Sequence, residues 1–149
     1  MKLDESGYSE LHKREGLRTK PYLDTKGVPT ISLGVTYYPN GRKVTLKDRP
    51  LTLKEAEELA KIVANDFAKF VDSKIKTKVN QNQFNACVSI CYNIGKSGFE
   101  SSTFLKLINI DPNDHKIASA IMMWVKDTEL IGRRCSEVIQ YFGTSTRIT

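Results

Sequence analysis

The sequence has few of the residues that bind metals or cross-link chains. Its 149 residues include two histidines and three cysteines. The histidines, His12 and His115, lie far apart, and no cysteine spacing matches the C-x2-C pattern of a zinc site. Cys87 and Cys91 lie four residues apart in an apolar segment, where we expect small buried side chains. We therefore expect no metal site, no cofactor and no Cys–His nucleophilic pair.

Long apolar runs are missing as well. No run approaches the roughly 20 residues that a membrane-spanning helix needs. The opening residues, MKLDESGYSE, are charged and lack the hydrophobic segment of a secretory signal. We therefore expect no signal peptide and no stable membrane insertion.

Negative charge is scarcer than positive charge. The chain has 23 lysines and arginines against 17 acidic residues, which gives a net charge of +6 and an isoelectric point near 9.2. A basic surface suits both nucleic acids and anionic cell-wall polymers. The basic residues are spread along the chain without aromatic interleaving or a known nucleic-acid motif. Only the charge supports a nucleic-acid binder, so we expect no nucleic-acid partner.

The run EGLRTKPYLDTKGVPTISLGVT is the most informative segment. It contains two carboxylates and a hydroxyl, Glu15, Asp24 and Thr30, at spacings of nine and six residues. Glycines or a proline near each of them indicate turns of the backbone. Taken singly, each residue has an ordinary structural explanation. Glycoside hydrolysis, however, requires an acid on one side of the scissile bond and a carboxylate on the other, and the joint spacing favours such a site.

Local signals predict how these residues are placed. Gly16 is expected to end a helix directly after Glu15, which puts that carboxylate at the negative end of the helix dipole. A charge there is disfavoured by about 0.3–1 kcal/mol, which favours the protonated form that a general acid needs. Asp24 begins D-T-K-G, a type I turn sequence between strand-like segments. We expect two or three short strands, with Thr30 on the second.

The pattern E-G-x5-Y-x-D-x2-G-x2-T-x-G-x-G-x-T resembles the signature of the phage-type lysozymes, or endolysins. The chain supplies it in register with Glu15, Gly16, Tyr22, Asp24, Gly27, Thr30, Gly34 and Thr36. Ser32 departs from the pattern, because the family usually has its first strand glycine there. We expect the strand to survive this change, although Ser32 could narrow the cleft or slow the enzyme. Val35 replaces a histidine that is often found in the family.

Helical patterns fill the rest of the chain. T-L-K-E, from Thr52 to Glu55, is a capping box that opens a helix over about 53–73. A second helix over about 80–95 begins at Asn80 or Asn82 and ends at Gly95. Later in the chain, Ser101 or Ser102 is expected to cap a short helix. Pro112 lies near the start of another, whose apolar face extends through Trp124. The closing segment LIGRRCSEVIQYFG resembles the end of the family's sequences.

The resemblance extends over about residues 8–143 and implies an α+β, lysozyme-like fold. In such a fold a small antiparallel β-sheet lobe is joined by a long helix to a mainly α-helical lobe. It implies one domain over residues 1–149. Its parts would be an N-terminal cleft lobe at about 12–52, a linking helix at about 53–73, and a helical C-terminal lobe at about 74–149, on which the first helix packs.

The resemblance also implies a function. The family's members are peptidoglycan hydrolases, or muramidases, that cleave the β-1,4 bond between N-acetylmuramic acid and N-acetylglucosamine with inversion and lyse bacteria. Glu15 would be the general acid, Asp24 would stabilise the transition state and help to activate water, and Thr30 would position that water. Bacterial peptidoglycan is the expected partner, and we expect a monomer. The enzyme would be made in the host cytoplasm and reach the wall through a pore-forming partner or by tail delivery.

The same resemblance assigns supporting residues. An arginine near the end of the chain pairs with the catalytic glutamate in the family, and we assign that role to Arg133, with Arg134 as the alternative. Its charge would oppose the effect of the helix end on Glu15. Tyr92 and Asn93 would contact the saccharide, although Asn93 equally suits a helix end before glycine.

Other functions remain open at this point. A lytic transglycosylase would cleave the same bond without water, and it can work with one catalytic acid. Asp24 and Thr30 together argue against it. A catalytically silent wall-binding or structural module on the same fold has only Ser32 in its favour.

Overall fold

Seven helices and two strands form the part of the protein that the structure describes. The computed structural model describes residues 1–143. In chain order the elements are α1 (Glu5–Glu15), β1 (Arg18–Leu23), β2 (Pro29–Ser32), α2 (Leu53–Lys74), α3 (Gln81–Ile94), α4 (Lys96–Ser101), α5 (Thr103–Ile108), α6 (Lys116–Ile121) and α7 (Glu129–Phe142). The predicted α+β class with a small antiparallel sheet is confirmed.

The chain forms two compact units. The hairpin unit is Tyr8–Asp66, and the helical unit consists of Met1–Gly7 and the described residues from Phe67 to Gly143. One boundary falls inside α1 and the other inside α2. The division into a cleft lobe, a linking helix and a C-terminal lobe stays a prediction.

The hairpin unit is built on β1 and β2. The two strands pair antiparallel, with Tyr22 opposite Thr30 and Arg18 opposite Ser32. Two isolated bridges extend the pairing beyond β2, Ile31 with Val35 and Tyr37 with Lys43. A small core of buried side chains lies in this unit: Ile31, Val35, Val44 and Leu59.

Helix α2 begins as the capping-box sequence predicts. The Thr52 backbone N–H donates to Glu55 Oε1 at 2.9 Å, and the Glu55 N–H donates to Thr52 Oγ1 at 3.1 Å. Two of the N–H groups that lack a partner in the first helical turn are thereby satisfied. The helix ends at Lys74, so its predicted length is confirmed.

Ser32 shows why glycine is usual at its position. Its φ is +59°, a left-handed conformation that costs a residue with a Cβ about 1–2 kcal/mol. The Ser32 side chain is fully buried, and its hydroxyl donates to the Ala56 carbonyl in α2 at 2.7 Å. The strand forms with serine in place of the family's usual glycine, as predicted, because this hydrogen bond offsets part of the backbone strain.

The helical unit has a larger apolar core. Its cluster of buried side chains includes Val71, Val79, Phe84, Phe99, Phe104, Ile108, Ile117, Ile121 and Tyr141. Cys87 and Cys91 are free thiols within it, as predicted, and burial raises the pKa of Cys91 to about 12. Asn80 caps α3 in a capping box with Gln83. Ser102 caps α5 by accepting from the Leu105 N–H.

The predicted helix after Pro112 is shorter than expected. Helix α6 begins at Lys116 and ends at Ile121, so Trp124 lies outside it. Asp111 Oδ1 accepts from the Asn113 N–H at 3.0 Å, and Asp114 Oδ1 accepts from the Lys116 N–H at 2.9 Å. These side-chain bonds stabilise turns and delay the start of the helix.

Candidate active site

Glu15 is the last residue of α1. Gly16 follows with a φ of +74°, and its N–H donates to the His12 carbonyl at 3.0 Å, so glycine ends the helix as predicted. The Glu15 side chain is half-buried, and its Oε2 atom is shielded from solvent. The carboxyl group is therefore attached to a fixed helix end and only partly hydrated, which suits an acid that must deliver a proton to a bound ligand.

Asp24 organises the turn between β1 and β2. Its carbonyl accepts from the Gly27 N–H at 3.0 Å, which closes the predicted turn. Its side-chain Oδ1 accepts two further backbone N–H groups, from Lys26 at 2.8 Å and from Val28 at 2.9 Å. Oδ2 accepts no hydrogen bond from any residue that the structure describes. One oxygen thus fixes the carboxylate, and the other is available to a ligand or a water.

Thr30 lies on β2 with only 2% of its surface exposed. Its hydroxyl donates to the Val28 carbonyl at 2.7 Å. Because the proton is used in that bond, Oγ1 presents its acceptor capacity to any water that reaches it. A fixed acceptor of this kind can orient a water molecule, which is the role that the resemblance implies for Thr30.

Tyr22 lies opposite Thr30 and is influenced by the charges of Glu15 and Asp24. It pairs directly with Thr30 across the hairpin, so the two side chains share one face of the sheet. Burial raises the pKa of the Tyr22 phenol; the Arg18 guanidinium opposes this, and the charges of Glu15 and Asp24 add to it. The phenol is therefore within electrostatic reach of both carboxylates. Thr30 thus lies opposite Tyr22 in the hairpin, and all three predicted catalytic residues belong to the hairpin unit.

Tyr22 belongs to the sequence motif, but the motif alone does not indicate a role for it. The available signal was the alternation of a strand, because residues 22 and 24 share a face when the strand is regular. Arg18 belongs to the same group, since its Cζ lies 4.3 Å from the centre of the Tyr22 ring. This cation–π contact helps to hold the ring over the sheet.

The two predicted supporting arginines lie in the helical unit and share one acid. Arg134 Nη1 donates to Glu137 Oε1 at 2.5 Å, and Arg133 Nε donates to Glu137 Oε2 at 3.1 Å. The Ser89 hydroxyl adds a third hydrogen bond to Glu137, at 2.5 Å. The side chains of Arg134 and Glu137 are fully buried. The pairing of Arg133 or Arg134 with Glu15 stays a prediction.

Asn93 and Tyr92 lie at the end of α3. The side-chain oxygen of Asn93 accepts a hydrogen bond from Arg134 Nη2, which leaves the Asn93 NH2 group as its exposed donor. The Tyr92 ring packs on Phe67 with centroids 4.8 Å apart. Asn93 is therefore bound to Arg134, and Tyr92 precedes it in the sequence. Saccharide contact by either residue stays a prediction.

The described residues lack two other kinds of feature, a metal-binding cluster and a membrane-spanning helix. Within residues 1–143, no group of three or more His, Cys, Asp or Glu side chains is arranged to hold a metal ion. In the same part of the chain, no helix combines the length and the apolar character that crossing a membrane requires.

Comparison with known proteins matches this chain to a family. Residues 12–137 match the sequence model of the phage lysozymes. The endolysin of Salmonella phage P22 is 34% identical over 126 residues, which covers 85% of each chain. The chain belongs to the phage lysozyme family.

Solved structures agree with that assignment. The endolysin from Escherichia coli O157:H7 phage FAHEc1 superposes with a TM-score of 0.88 at 30% identity, covering 99% of this chain and 98% of that one. The muramidase domain of SpmX from Asticaccaulis excentricus gives a TM-score of 0.81 at 26% identity, covering 96% of this chain and 99% of that one. The lysozyme-like fold is confirmed, and as a phage lysozyme the chain is a glycosidase of the peptidoglycan-hydrolase class.

Proposed function

We propose that this phage lysozyme hydrolyses the β-1,4 bond between N-acetylmuramic acid and N-acetylglucosamine, with Glu15, Asp24 and Thr30 as its catalytic residues. Glu15 protonates the leaving glycosidic oxygen. Asp24 stabilises the positive charge that develops on the sugar ring and accepts a proton from the attacking water. Thr30 orients that water, and the product has the inverted anomeric configuration.

The arrangement of Asp24 is the observation that supports hydrolysis best. Its Oδ1 is held by two backbone N–H groups, while its Oδ2 keeps its lone pairs for the reaction. A carboxylate that is fixed in advance needs little reorganisation when charge develops beside it. Thr30 lies one strand away with an oriented acceptor. Both features serve a water molecule, and a transglycosylase that works without water has no use for them.

The proposed chemistry needs no second copy of the chain, since Glu15, Asp24 and Thr30 all lie in the hairpin unit. We propose that the enzyme acts as a monomer on bacterial peptidoglycan and lyses the cell. Its synthesis in the host cytoplasm and its release through a pore-forming partner or by tail delivery stay predictions.

Mass spectrometry of the muropeptides released from purified cell walls tests the reaction. We expect fragments with reducing N-acetylmuramic acid ends, in which one oxygen comes from water. Digestion in water enriched in oxygen-18 should therefore add two mass units to each new reducing end when the products are analysed before exchange. Anhydro ends would replace the proposal with transglycosylation, and walls without any released saccharide would indicate a binding module.

A further inference from the structure

The connection between β2 and α2 forms an open surface cavity that the proposed chemistry does not use. Its volume is about 450 Å³, and Tyr38, Asn40, Arg42, Asp48, Arg49 and Leu51 contribute to its lining. All of these residues belong to the hairpin unit. The cavity combines two arginines with aromatic and aliphatic surface.

Asp48 holds the wall of this cavity in place. Its carboxylate accepts hydrogen bonds from the Tyr38 phenol at 2.6 Å, and from the Thr45 N–H and hydroxyl at 3.0 and 2.8 Å. Arg42 Nη1 donates to it at 3.1 Å. These bonds, above all the one from Tyr38, hold the pKa of Asp48 well below its usual value. The negative charge in the wall is thus permanent and already satisfied by protein donors.

Arg42 is fixed at one end and open at the other. Its Cζ stacks 4.5 Å from the centre of the Tyr38 ring, and its backbone N–H donates to Asn40 Oδ1 at 2.8 Å. Its side chain is nevertheless 55% exposed. A guanidinium has five N–H donors, so Arg42 keeps donors for a ligand after its bond to Asp48. The stacking and the ion pair set its orientation before any ligand arrives, which lowers the entropic cost of binding.

The surrounding segment is strongly basic. Residues 37–51 contain four basic side chains and one acidic one, Asp48. Arg49 Nη1 and Nη2 donate to the two oxygens of Glu55 at 3.1 and 2.9 Å, and Arg49 is the main cause of a Glu55 pKa of about 2. Because both acids are occupied by the protein, the free capacity of the cavity consists of the guanidinium N–H donors that these ion pairs leave unused. An acidic ligand matches that capacity.

The cavity is connected to the strand that leads to the candidate active site. The Leu51 N–H donates to the Thr19 carbonyl of β1 at 2.8 Å. The chain from Thr19 to Asp24 spans at most roughly 17 Å when extended. A polymer whose scissile bond lies at Asp24 also has groups further along its chain. Their distance from Asp24 is of the same order as the distance from Asp24 to the cavity.

We propose that this cavity binds an acidic group of the cell-wall polymer, a carboxylate or a phosphodiester, through Arg42. The fork of the guanidinium suits either group, and Tyr38 and Leu51 provide apolar surface for the carbon atoms next to it. The identity of the polymer rests on the proposed function, and the cavity adds a contact outside the reacting bond.

Binding to cell walls tests the proposal without reading catalysis. All variants are made on a Glu15→Gln background and sedimented with purified walls at fixed ionic strength. We expect Arg42→Gln to raise the half-saturating wall concentration about tenfold. The matched control is Lys47→Gln, which removes the same charge from an exposed residue of the same segment, and we expect it to change binding less than about twofold.

One further variant and two treatments of the walls separate the outcomes. Arg42→Lys keeps the charge and should retain part of the affinity, and melting temperatures near that of the parent show that the loop is intact. If the Arg42→Gln defect disappears on walls stripped of phosphodiester polymers with hydrofluoric acid, the ligand is a phosphodiester. If it disappears on walls with amidated carboxyl groups, the ligand is a carboxylate.

Either of those results supports the site. Equal weakening by Arg42→Gln and Lys47→Gln on every wall would overturn it, as would an Arg42→Gln defect that survives both treatments. The muropeptide assay reads bond cleavage and this assay reads binding, so the failure of one proposal is distinguishable from the failure of the other.

Discussion

The hairpin unit and the helical unit are stabilised in different ways. In the helical unit, buried aromatic and aliphatic side chains form a large cluster that includes Phe84, Phe99 and Phe104. In the hairpin unit the cluster of Ile31, Val35, Val44 and Leu59 has fewer members, and the carboxylates of Asp24, Asp48 and Glu55 each accept backbone N–H groups. Asp111 and Asp114 do the same in one connection of the helical unit. Apolar burial gives large but non-directional stabilisation, whereas hydrogen bonds to turns fix the direction of a group.

This difference shows why the candidate catalytic residues lie in the hairpin unit. A reacting carboxylate must be held in one orientation, and Asp24 achieves this by taking part in its own turn. The helical unit also contains a buried ion pair, Arg134–Glu137, and removing these two charges from water costs free energy. We expect changes in the helical unit to alter stability and changes at the turns of the hairpin unit to alter activity.

The largest effect on stability is expected at Glu137. In Glu137→Gln the buried guanidinium of Arg134 loses its counter-charge, and we expect the free energy of unfolding to fall by about 3–5 kcal/mol. The matched control is Glu100→Gln, which breaks an exposed pair with Lys74 in the same unit. Its cost should be about 0–1 kcal/mol. Urea denaturation of both variants measures the difference, and equal costs would remove the contrast between buried and exposed pairs.

A smaller effect is expected at Ser32. Ser32→Ala keeps the left-handed conformation and loses the hydrogen bond to Ala56, so we expect a loss of about 1 kcal/mol. Ser32→Gly also loses the bond but relieves the backbone strain, so its stability should stay within about 0.5 kcal/mol of the parent. Thermal unfolding of the pair measures this. If alanine were as stable as serine, the hydroxyl would not be what offsets the strain. Turnover of the glycine variant tests whether Ser32 slows the enzyme.

Much of the local structure follows from the sequence because it depends on neighbours in the chain. Gly16 ends α1, D-T-K-G forms its turn, and Thr52 with Glu55 opens α2. In each case the partners lie within four residues of one another, so spacing alone is informative. The catalytic candidates belong to this group, and for that reason the motif located them.

Contacts between distant residues were not predictable in the same way. Asp48 binds Tyr38, ten residues away, and Arg134 binds Asn93, forty-one residues away. No spacing rule links such pairs, because only the folded chain brings them together. The helix after Pro112 begins later than its sequence suggests for another reason, because Asp111 and Asp114 bind the backbone in turns. The pairing of Tyr22 with Thr30 depends on the strand register, which the sequence does not specify.

The most direct test of the central claim is clearing of purified peptidoglycan by Glu15→Gln. The variant keeps the size of the side chain and removes the proton that the general acid must deliver. We expect its rate of clearing to fall by about 10²–10⁴-fold, with a melting temperature close to that of the parent. Glu58→Gln, an equal charge change at an exposed position of α2, should clear at the parental rate. Parental clearing by Glu15→Gln would contradict the assignment of Glu15 as the acid and, with it, the proposed mechanism.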